Sequence, residues 1–320
     1  MSAVAVIIVN WNSWAVLARC LRALAMQTSR DFSITVIDNC SQEIMPDNLP
    51  AEYPNVRIVK NPSNMGFAAA NNRAVQLYSG DSEWIALLNP DAFPEPDWLA
   101  QLLLAAEQHP DCAVFASRQI NATDPTRLDG DGDVYHISGR VWRGGWGQKV
   151  PQHSPAVRPV FSPCAAAAMY RREVFNKAGG FDEDFFCYLE DVDLGFRLQL
   201  TGHPCLLVTA AIVHHLGSVS AGGQHSDFAT YYGHRNLTWC FVKNMPGALF
   251  WWLLPIHLGM NLIGFCVLAF RGQGAIFLKA KRDALSGTPA MWRKRAQVQA
   301  MRTVSSRNIW RMLDKTIWTH

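Results

Sequence analysis

The chain has 320 residues, about half of them hydrophobic, and a formal net charge of only +3. That is enough apolar material for one large domain, or a domain with an appendage. The eight cysteines are scattered with no CxxC pair, which argues against a zinc site or a disulfide framework and fits small core residues in a reducing compartment.

Met1 leads almost directly into VAVIIV (Val4 to Val9), with no basic leader, so no signal peptide is expected. That continuous β-branched run predicts a strand buried on both faces. Ser13 is placed to cap a helix carrying Trp14, Leu17, Leu21 and Leu24 at helical spacing. SITVIDN (Ser33 to Asn39) and VRIVKN (Val56 to Asn61) predict the second and third strands. A turn at Gly66 then opens an Ala-rich helix through Leu77, and WIALLN (Trp84 to Asn89) predicts the fourth strand. Strands alternating with helices imply a parallel α/β sheet, whose ligands bind beyond the carboxyl ends of the strands. Polar residues stand at four such ends: Asn10 and Asn12, Asp38 and Asn39, Asn61 and Asn64, Asn89 and Asp91.

No GxGxxG or Walker loop occurs. DGDGD (Asp129 to Asp133) starts like a calcium loop, but Val134 stands where Gly is required and Arg140 where the closing Glu belongs, so a polar loop is expected. Val141 to Pro155, rich in Gly, Pro and Trp, reads as a long loop whose Trp142 and Trp146 face a substrate or anchor the core. FFCYLEDVDLGFRL (Phe185 to Leu198) sets Glu190, Asp191 and Asp193 in an apolar run, where carboxylates need a partner or a task. Asp193 and Arg197, four apart, are expected to pair on a helix face.

Asn244 to Phe270 contains no Lys, Arg, Asp or Glu, long enough to span a bilayer, but Pro255, His257 and Asn261 interrupt it. The following segment, Arg271 to His320, carries eleven Lys/Arg against two Asp/Glu, a net of +9, while the rest of the chain carries 18 against 24, a net of −6. A single crossing would put that tail on the wrong side for the positive-inside bias. A broken pair of helices lying in the membrane interface, with the tail on anionic headgroups, fits better. A buried helical hairpin or a dimer surface is the alternative.

IIVNWN (Ile7 to Asn12), VIDNCS (Val36 to Ser41), NPSNMGFAAANN (Asn61 to Asn72), LLNPDA (Leu87 to Ala92), GGFDEDFFCYLEDVDLGFRL (Gly179 to Leu198), HLGSVS (His215 to Ser220) and HRN (His234 to Asn236) together resemble the family-2 glycosyltransferases of the GT-A fold. Within them the sequence is similar to rhamnosyltransferase-like enzymes of bacterial surface-polysaccharide synthesis. The motifs occur in the family's order over roughly the first 240 residues. The resemblance implies a Rossmann-like, mostly parallel sheet flanked by helices. It further implies a catalytic domain at 1–240, with a donor half at about 1–115 and an acceptor half at about 116–240, and a helical membrane-associating extension at 241–320. The implied activity is inverting transfer of a sugar from a nucleotide-diphospho-sugar, dTDP-rhamnose or next a UDP-hexose, to a polyprenyl-diphosphate-linked saccharide. The implied location is the cytoplasmic face of the bacterial inner membrane.

By the same resemblance Asp191 is the general base, and Glu190 contacts the acceptor or orients that base. Asp38 hydrogen-bonds the donor's nucleobase. Asn10 and Asn12 hold the nucleotide, with Asn64, Gly66 and Asn71 beside it. Asn89-Pro90-Asp91 stands where many relatives carry Asp-x-Asp, leaving Asp91 as ligand to a divalent metal, Mg²⁺ or Mn²⁺, with His215 as a second ligand. Arg235 meets the diphosphate or forms a surface salt bridge. Two rival readings are a non-catalytic nucleotide-sugar-binding scaffold and a nucleic-acid binder using Trp292, Trp310 and Trp318. Intact Asp191 and Asp91 oppose the first, and the absence of any RNA or DNA motif opposes the second, so no nucleic-acid partner is expected.

Overall fold

In the computed structural model, which describes residues 3–217 and 226–316, β1 (Val4–Asn10) consists of seven consecutive buried residues. α1 (Trp14–Ala25) buries Trp14, Leu17, Leu21 and Leu24 on one face. Ser13 holds the N-cap position, yet its side chain makes no cap bond and its Oγ donates to the Trp11 carbonyl. β2 (Phe32–Asp38), the single turn α2 (Leu49–Glu52), β3 (Val56–Lys60), α3 (Gly66–Tyr78) and β4 (Trp84–Leu88) complete the expected alternation. β2 and β4 flank β1 in parallel, and β3 adds parallel to β2.

The second half breaks the alternation. β5 (Ala92–Pro94) and α4 (Trp98–Gln108) lead to β6 (Val114–Asn121) and β7 (Leu128–Gly130). A hairpin of β8 (Asp133–Tyr135) and β9 (Val141–Arg143) precedes β10 (Val157–Val160) and β11 (Ala167–Arg171). α5 (Arg172–Lys177), a 3-10 turn at Glu183–Phe185 and α6 (Glu190–Leu200) then lead to β12 (Cys205–His215). The strand order is β10-β12-β6-β11-β4-β1-β2-β3, with β5 on β12 and β7 on β6. β11 lies antiparallel to both β4 and β6, so two reversals restore direction and β6 runs with β4. β12 is parallel to β6. His215, at the end of β12, therefore reaches the same edge as the ends of β1 to β4. One face of the sheet packs Val6, Ile8, Leu17 and Leu99, and the other packs Ile7, Ala70, Leu194 and Leu198. Fully burying one such side chain stabilises the fold by about 1.5–3 kcal/mol.

Four helices follow: α7 (Asp227–Asn244), α8 (Gly247–Phe270), α9 (Gly274–Ala300) and α10 (Ser306–Met312). α8 is one continuous helix of 24 residues, not the expected broken pair. Pro255 removes one backbone donor, but Leu249, Phe250 and Leu253 before it and His257 and Leu268 after it are all buried on the protein. Packing on both sides of the proline holds the helix together. His257 stacks on Phe241 at 4.2 Å, and its Nδ1 lies 2.8 Å from the Ser138 carbonyl.

The basic tail is less free than expected. Trp239 on α7 donates from Nε1 to the Ala284 carbonyl at 2.9 Å, and a Cβ at Gly287 would lie 2.4 Å from that indole. Lys294 pairs with Asp182 and Asp184, and Arg295 donates to the carbonyls of Val242 and Met245. Arg271, Lys279, Arg293, Arg307 and Arg311 remain exposed. Ser218 to Ser220 of the HLGSVS motif and Trp318 lie outside the described residues.

Candidate active site

A cavity of about 780 Å³ opens along the carboxyl edge of the sheet. Val9 and Trp11 from the end of β1, Asn39 after β2, Asn64 and Gly66 at the start of α3, and Asn89 to Asp91 after β4 line one end. These loops brace one another. Asn39 Nδ2 donates to Asn64 Oδ1 at 2.9 Å, while Asn39 Oδ1 accepts from Asn61 Nδ2 and the Met65 amide. Gly66 has φ +79°, and a Cβ there would lie 2.5 Å from Phe186, so only glycine allows this approach to the acid loop.

Four expected donor contacts lie behind the lining rather than in it. Asn12 Oδ1 accepts from the Gln42 and Glu43 amides, and Asp38 Oδ1 accepts from the Ser41 amide, so both shape the loops after β1 and β2. Asn71 Nδ2 donates within α3 to the Phe67 carbonyl. Asn10 is fully buried, and neither side-chain polar atom has a hydrogen-bond partner among the described residues. Asn89 Oδ1 is likewise unpartnered, but Asn89 lines the cavity.

Asp91 and His215 meet on the cavity wall. His215 Nδ1 lies 2.7 Å from Asp129 Oδ2, and its Nε2 lies 3.3 Å from Asp91 Oδ1 without well-aligned hydrogen bonding. In the tautomer whose Nδ1–H donates to the Asp129 carboxylate, Nε2 presents its lone pair beside the Asp91 carboxylate. That donor set fits a divalent cation. Among the described residues no third His, Cys, Asp or Glu completes a protein-only cage. A cation here would fill its shell with diphosphate oxygens and water, as magnesium usually does. Burial alone would lower the pKa of His215, but the hydrogen bond to Asp129 and the neighbouring Asp91 carboxylate raise it. Burial would raise Asp129, but the His215 hydrogen bond and the Arg143 guanidinium hold it below the ordinary carboxylate value.

The same cavity is lined by Glu190 and Asp191, the first two residues of α6. Asp191 Oδ2 accepts from the Ala165 amide at 3.0 Å and Oδ1 from the Val192 amide at 2.8 Å, which fixes the carboxylate. Burial still raises its pKa above the usual Asp value. Burial and then the charge of Asp191 raise Glu190 well above the usual Glu value, and its Oε2 has no hydrogen-bond partner among the described residues. Asp133, on the same cavity, is pushed up to about 8 by burial and by Asp191.

The backbone entering α6 is strained: Phe186, Tyr188 and Leu189 have φ of 64°, 67° and 67°. Such residues cost on the order of 1–3 kcal/mol each and persist only where surroundings impose them. The HRN segment supplies the restraint. Buried Asn236 donates from Nδ2 to the carbonyls of Phe185, Cys187 and Tyr188, at 3.0, 2.9 and 2.7 Å. Arg235 donates from Nη2 to the carbonyls of Asp184 and Phe185 and lies over the Trp239 ring. Among the described residues Arg235 forms no ion pair; its guanidinium holds the loop before α6 through backbone carbonyls. Asp193 pairs with Arg197, as its spacing implied, and also with Lys243 and Asn244 on α7. Gly195 lets α6 approach Ser162 so closely that a Cβ would sit 2.3 Å from the serine Cβ.

The DGDGD segment is more than a polar loop. Asp131 pairs with Arg118 in the protein interior, Asp129 orients His215, and Asp133 faces the acids. Arg143 on β9, which pattern reading passed over, lines the cavity beside Asp129. Trp142 lines the cavity and Trp146 is exposed outside it.

A mostly parallel sheet whose polar strand ends face a helix-borne carboxylate pair across one cavity defines a glycosyltransferase of the GT-A fold. The chain belongs to glycosyl transferase family 2, whose sequence model matches residues 5–179. It is 30% identical over 280 residues to an N-acetylglucosaminyl-diphospho-decaprenol L-rhamnosyltransferase of Mycobacterium tuberculosis, covering 79% of this chain and 87% of that one. It is 25% identical over 210 residues to the O-antigen chain rhamnosyltransferase WbaN of Salmonella anatum, covering 64% and 61%. Among solved structures, residues 1–349 of TarS from S. aureus superpose with a TM-score of 0.57 at 16% identity, covering 94% of this chain and 90% of that fragment. The mannosyltransferase PcManGT of Pyrobaculum calidifontis, solved with GDP-Man and Mn²⁺, superposes with a TM-score of 0.54 at 16% identity, covering 97% and 87%.

Proposed function

We propose that the protein transfers a sugar, with inversion, from a nucleotide-diphospho-sugar to a hydroxyl of a lipid-linked saccharide. The observation that carries this reading is Asp191: a half-buried carboxylate fixed by two backbone amides, facing the cavity that Asp91 and His215 also line. The acceptor oxygen attacks the anomeric carbon while Asp191 takes its proton. The bond to the diphosphate breaks on the opposite face, and one displacement inverts the anomeric centre. Glu190, whose burial favours the neutral form, donates a hydrogen bond to the acceptor or steadies the base. Asp91 and His215 would hold a divalent ion, Mg²⁺ or Mn²⁺, which supplies neutralisation of the charge growing on the leaving diphosphate. Asn39, Asn64, Gly66 and Asn89 contact the nucleotide directly. Asn10, Asn12, Asp38 and Asn71 support those loops from behind.

Rhamnosyl transfer by the mycobacterial and Salmonella relatives favours dTDP-rhamnose as donor, with UDP-hexoses next, and the decaprenol-linked acceptor of the mycobacterial relative favours a polyprenyl-diphosphate-linked acceptor. Residues 1–240 form the catalytic unit, with donor and acceptor halves meeting near residue 115, and 241–320 associate with the membrane. α8 is long and apolar enough to cross a bilayer. Its outward face instead supports an interfacial position: Trp251, Trp252, Leu258, Leu262, Ile263 and Phe270 are exposed, while the opposite face lies on the protein. Exposed Lys279, Arg293, Arg307 and Arg311 add attraction to anionic headgroups on the cytoplasmic face of the inner membrane. The test is incubation of the protein with Mn²⁺, candidate donors and a prenyl-diphosphate-linked N-acetylglucosamine, with the product's linkage read by NMR. A product of anomeric configuration opposite to the donor's is expected. Retained configuration, or no transfer from any nucleotide sugar, overturns the reading.

A further inference from the structure

The cavity does not end at the acids. Phe228, Thr230, His234 and Leu237 on α7 carry it onward to Leu268, Arg271 and Gln273, where α8 turns into α9. The nucleotide end and the acid pair occupy only part of this length. The far end has a distinct chemistry: an apolar helix face terminating at a cation. Phe270 is 95% exposed and closes the unpartnered face of α8. Arg271 follows immediately, exposed, and its guanidinium has no ion pair or hydrogen bond among the described residues. The nearby carboxylate, Asp227, is engaged by Gln273 Nε2 at 3.0 Å. The first amides of α9 point into the same turn, at the positive end of a helix of 27 residues.

We propose that this end of the cavity binds the diphosphate of a lipid-linked acceptor, with Arg271 as its cation and the prenyl chain along the exposed face of α8. Only an amphiphile with an anionic head and a long apolar tail satisfies both surfaces at once. Its sugar, attached beyond the diphosphate, then reaches into the cavity toward Glu190 and Asp191. The two diphosphates of the reaction thus sit at opposite ends, the donor's on Asp91 and His215 and the acceptor's on Arg271. This rests on the lipid-linked acceptor reading given above.

The experiment compares two synthetic acceptors, N-acetylglucosamine on a short-chain prenyl diphosphate and the same sugar and chain joined by an uncharged linker. The wild type should prefer the charged acceptor in kcat/KM by about tenfold or more, the scale of one good charge-assisted contact. R271Q should erase most of that preference, and R271K should retain part of it. Calorimetric binding of farnesyl diphosphate, with the nucleotide end saturated by dTDP, gives a readout that needs no catalysis: R271Q should weaken it about tenfold. An unchanged acceptor ratio together with unchanged farnesyl diphosphate binding overturns the subsite. So does a shift confined to donor KM, which would put Arg271 on the donor, or one confined to phosphatidylglycerol vesicles, which would make it a headgroup contact. If the wild type glycosylates neither acceptor, the functional reading fails, while the farnesyl diphosphate measurement still decides the subsite.

Discussion

The two walls of the cavity treat equally buried carboxylates in opposite ways. Asp129, Asp133 and Glu190 are 4%, 5% and 5% exposed, yet Asp129 titrates below the ordinary range while Asp133 and Glu190 titrate above it. Burial pushes all three upward, and only at Asp129 do the partners outweigh it. Asp129 lies between His215 and Arg143. Asp133 and Glu190 lie beside another carboxylate, Asp191. One wall is arranged to keep negative charge and present it to a cation or a cation-bridged diphosphate. The other is arranged to hold and receive protons.

Substituting the proton-handling wall should have the largest effect. Asp191→Asn keeps the shape of the side chain and removes the base, so kcat should fall by roughly 10²–10⁴. Nucleotide binding, read by calorimetry, should stay near wild type because Asp191 is on α6, away from the strand-end loops proposed to hold the nucleotide. A kcat within a few-fold of wild type would remove Asp191 from the base role. Raised pKa values on this wall also place the acid limb of kcat/KM above the ordinary Asp value of about 4.

The other wall should respond to metal rather than to pH. Chelation with EDTA should abolish transfer, and Mn²⁺ should restore it. Asp129→Asn leaves His215 and Asp91 in place but loosens the imidazole's orientation, so metal affinity should fall about 10–100-fold, with activity recovered at high Mn²⁺. Full wild-type activity after exhaustive chelation would break the assignment of this wall and leave Arg143 to stabilise the leaving group.

The strand ends of this site were legible in the sequence because a parallel strand buried on both faces announces itself as an apolar run, and its end as the first polar residue. Glu190 and Asp191 were legible because carboxylates in an apolar run need a reason. Asp129, Asp133 and Arg143 were not, since their meeting depends on the β8–β9 hairpin folding across the sheet edge. The role of HRN was hidden for a different reason: Arg235 and Asn236 act on backbone carbonyls of residues some 50 positions earlier, which leave no mark in side-chain patterning. The continuity of α8 is not legible from Pro255 alone, since it depends on Leu249, Phe250, Leu253, His257 and Leu268 packing on the protein on both sides of the proline.

That hidden support ranks third in expected effect. Asn236→Ala would remove the side-chain donor to the Cys187 and Tyr188 carbonyls, leave Phe185 to Arg235 alone, and loosen a loop with three positive-φ residues ahead of α6. Leaving buried acceptors unpaired costs about 1–3 kcal/mol. At the acid wall, kcat should drop about tenfold while donor affinity falls less, because Asn39, Asn61 and Asn64 brace the strand-end loops among themselves and only the start of α3, at Gly66 and Ala68, touches the released loop. Equal losses in kcat and donor binding would mean that the two walls are not separately supported.

The smallest effect is the one that reads the acid wall most directly. Asp133 binds a proton in the folded protein up to a pH of about 8, whereas in the unfolded chain it releases it near 4. Between those values the folded state holds the extra proton, so this group's contribution to stability is complete below about pH 4 and declines as pH rises toward 8. Asp133→Asn keeps a neutral side chain at every pH. The variant should therefore melt several degrees above wild type at pH 8, about 2–4 °C for each kcal/mol in a domain of this size, and the gap should narrow toward pH 5. The matching change at the cation-lined wall, Asp129→Asn, should reverse the sign: its carboxylate is lowered on folding, so its removal should cost more at pH 7 than at pH 4. Melting curves of both variants across this range measure the contrast between the walls without substrate or metal. Parallel pH profiles for the two would show that burial, rather than the neighbouring charges, sets both groups.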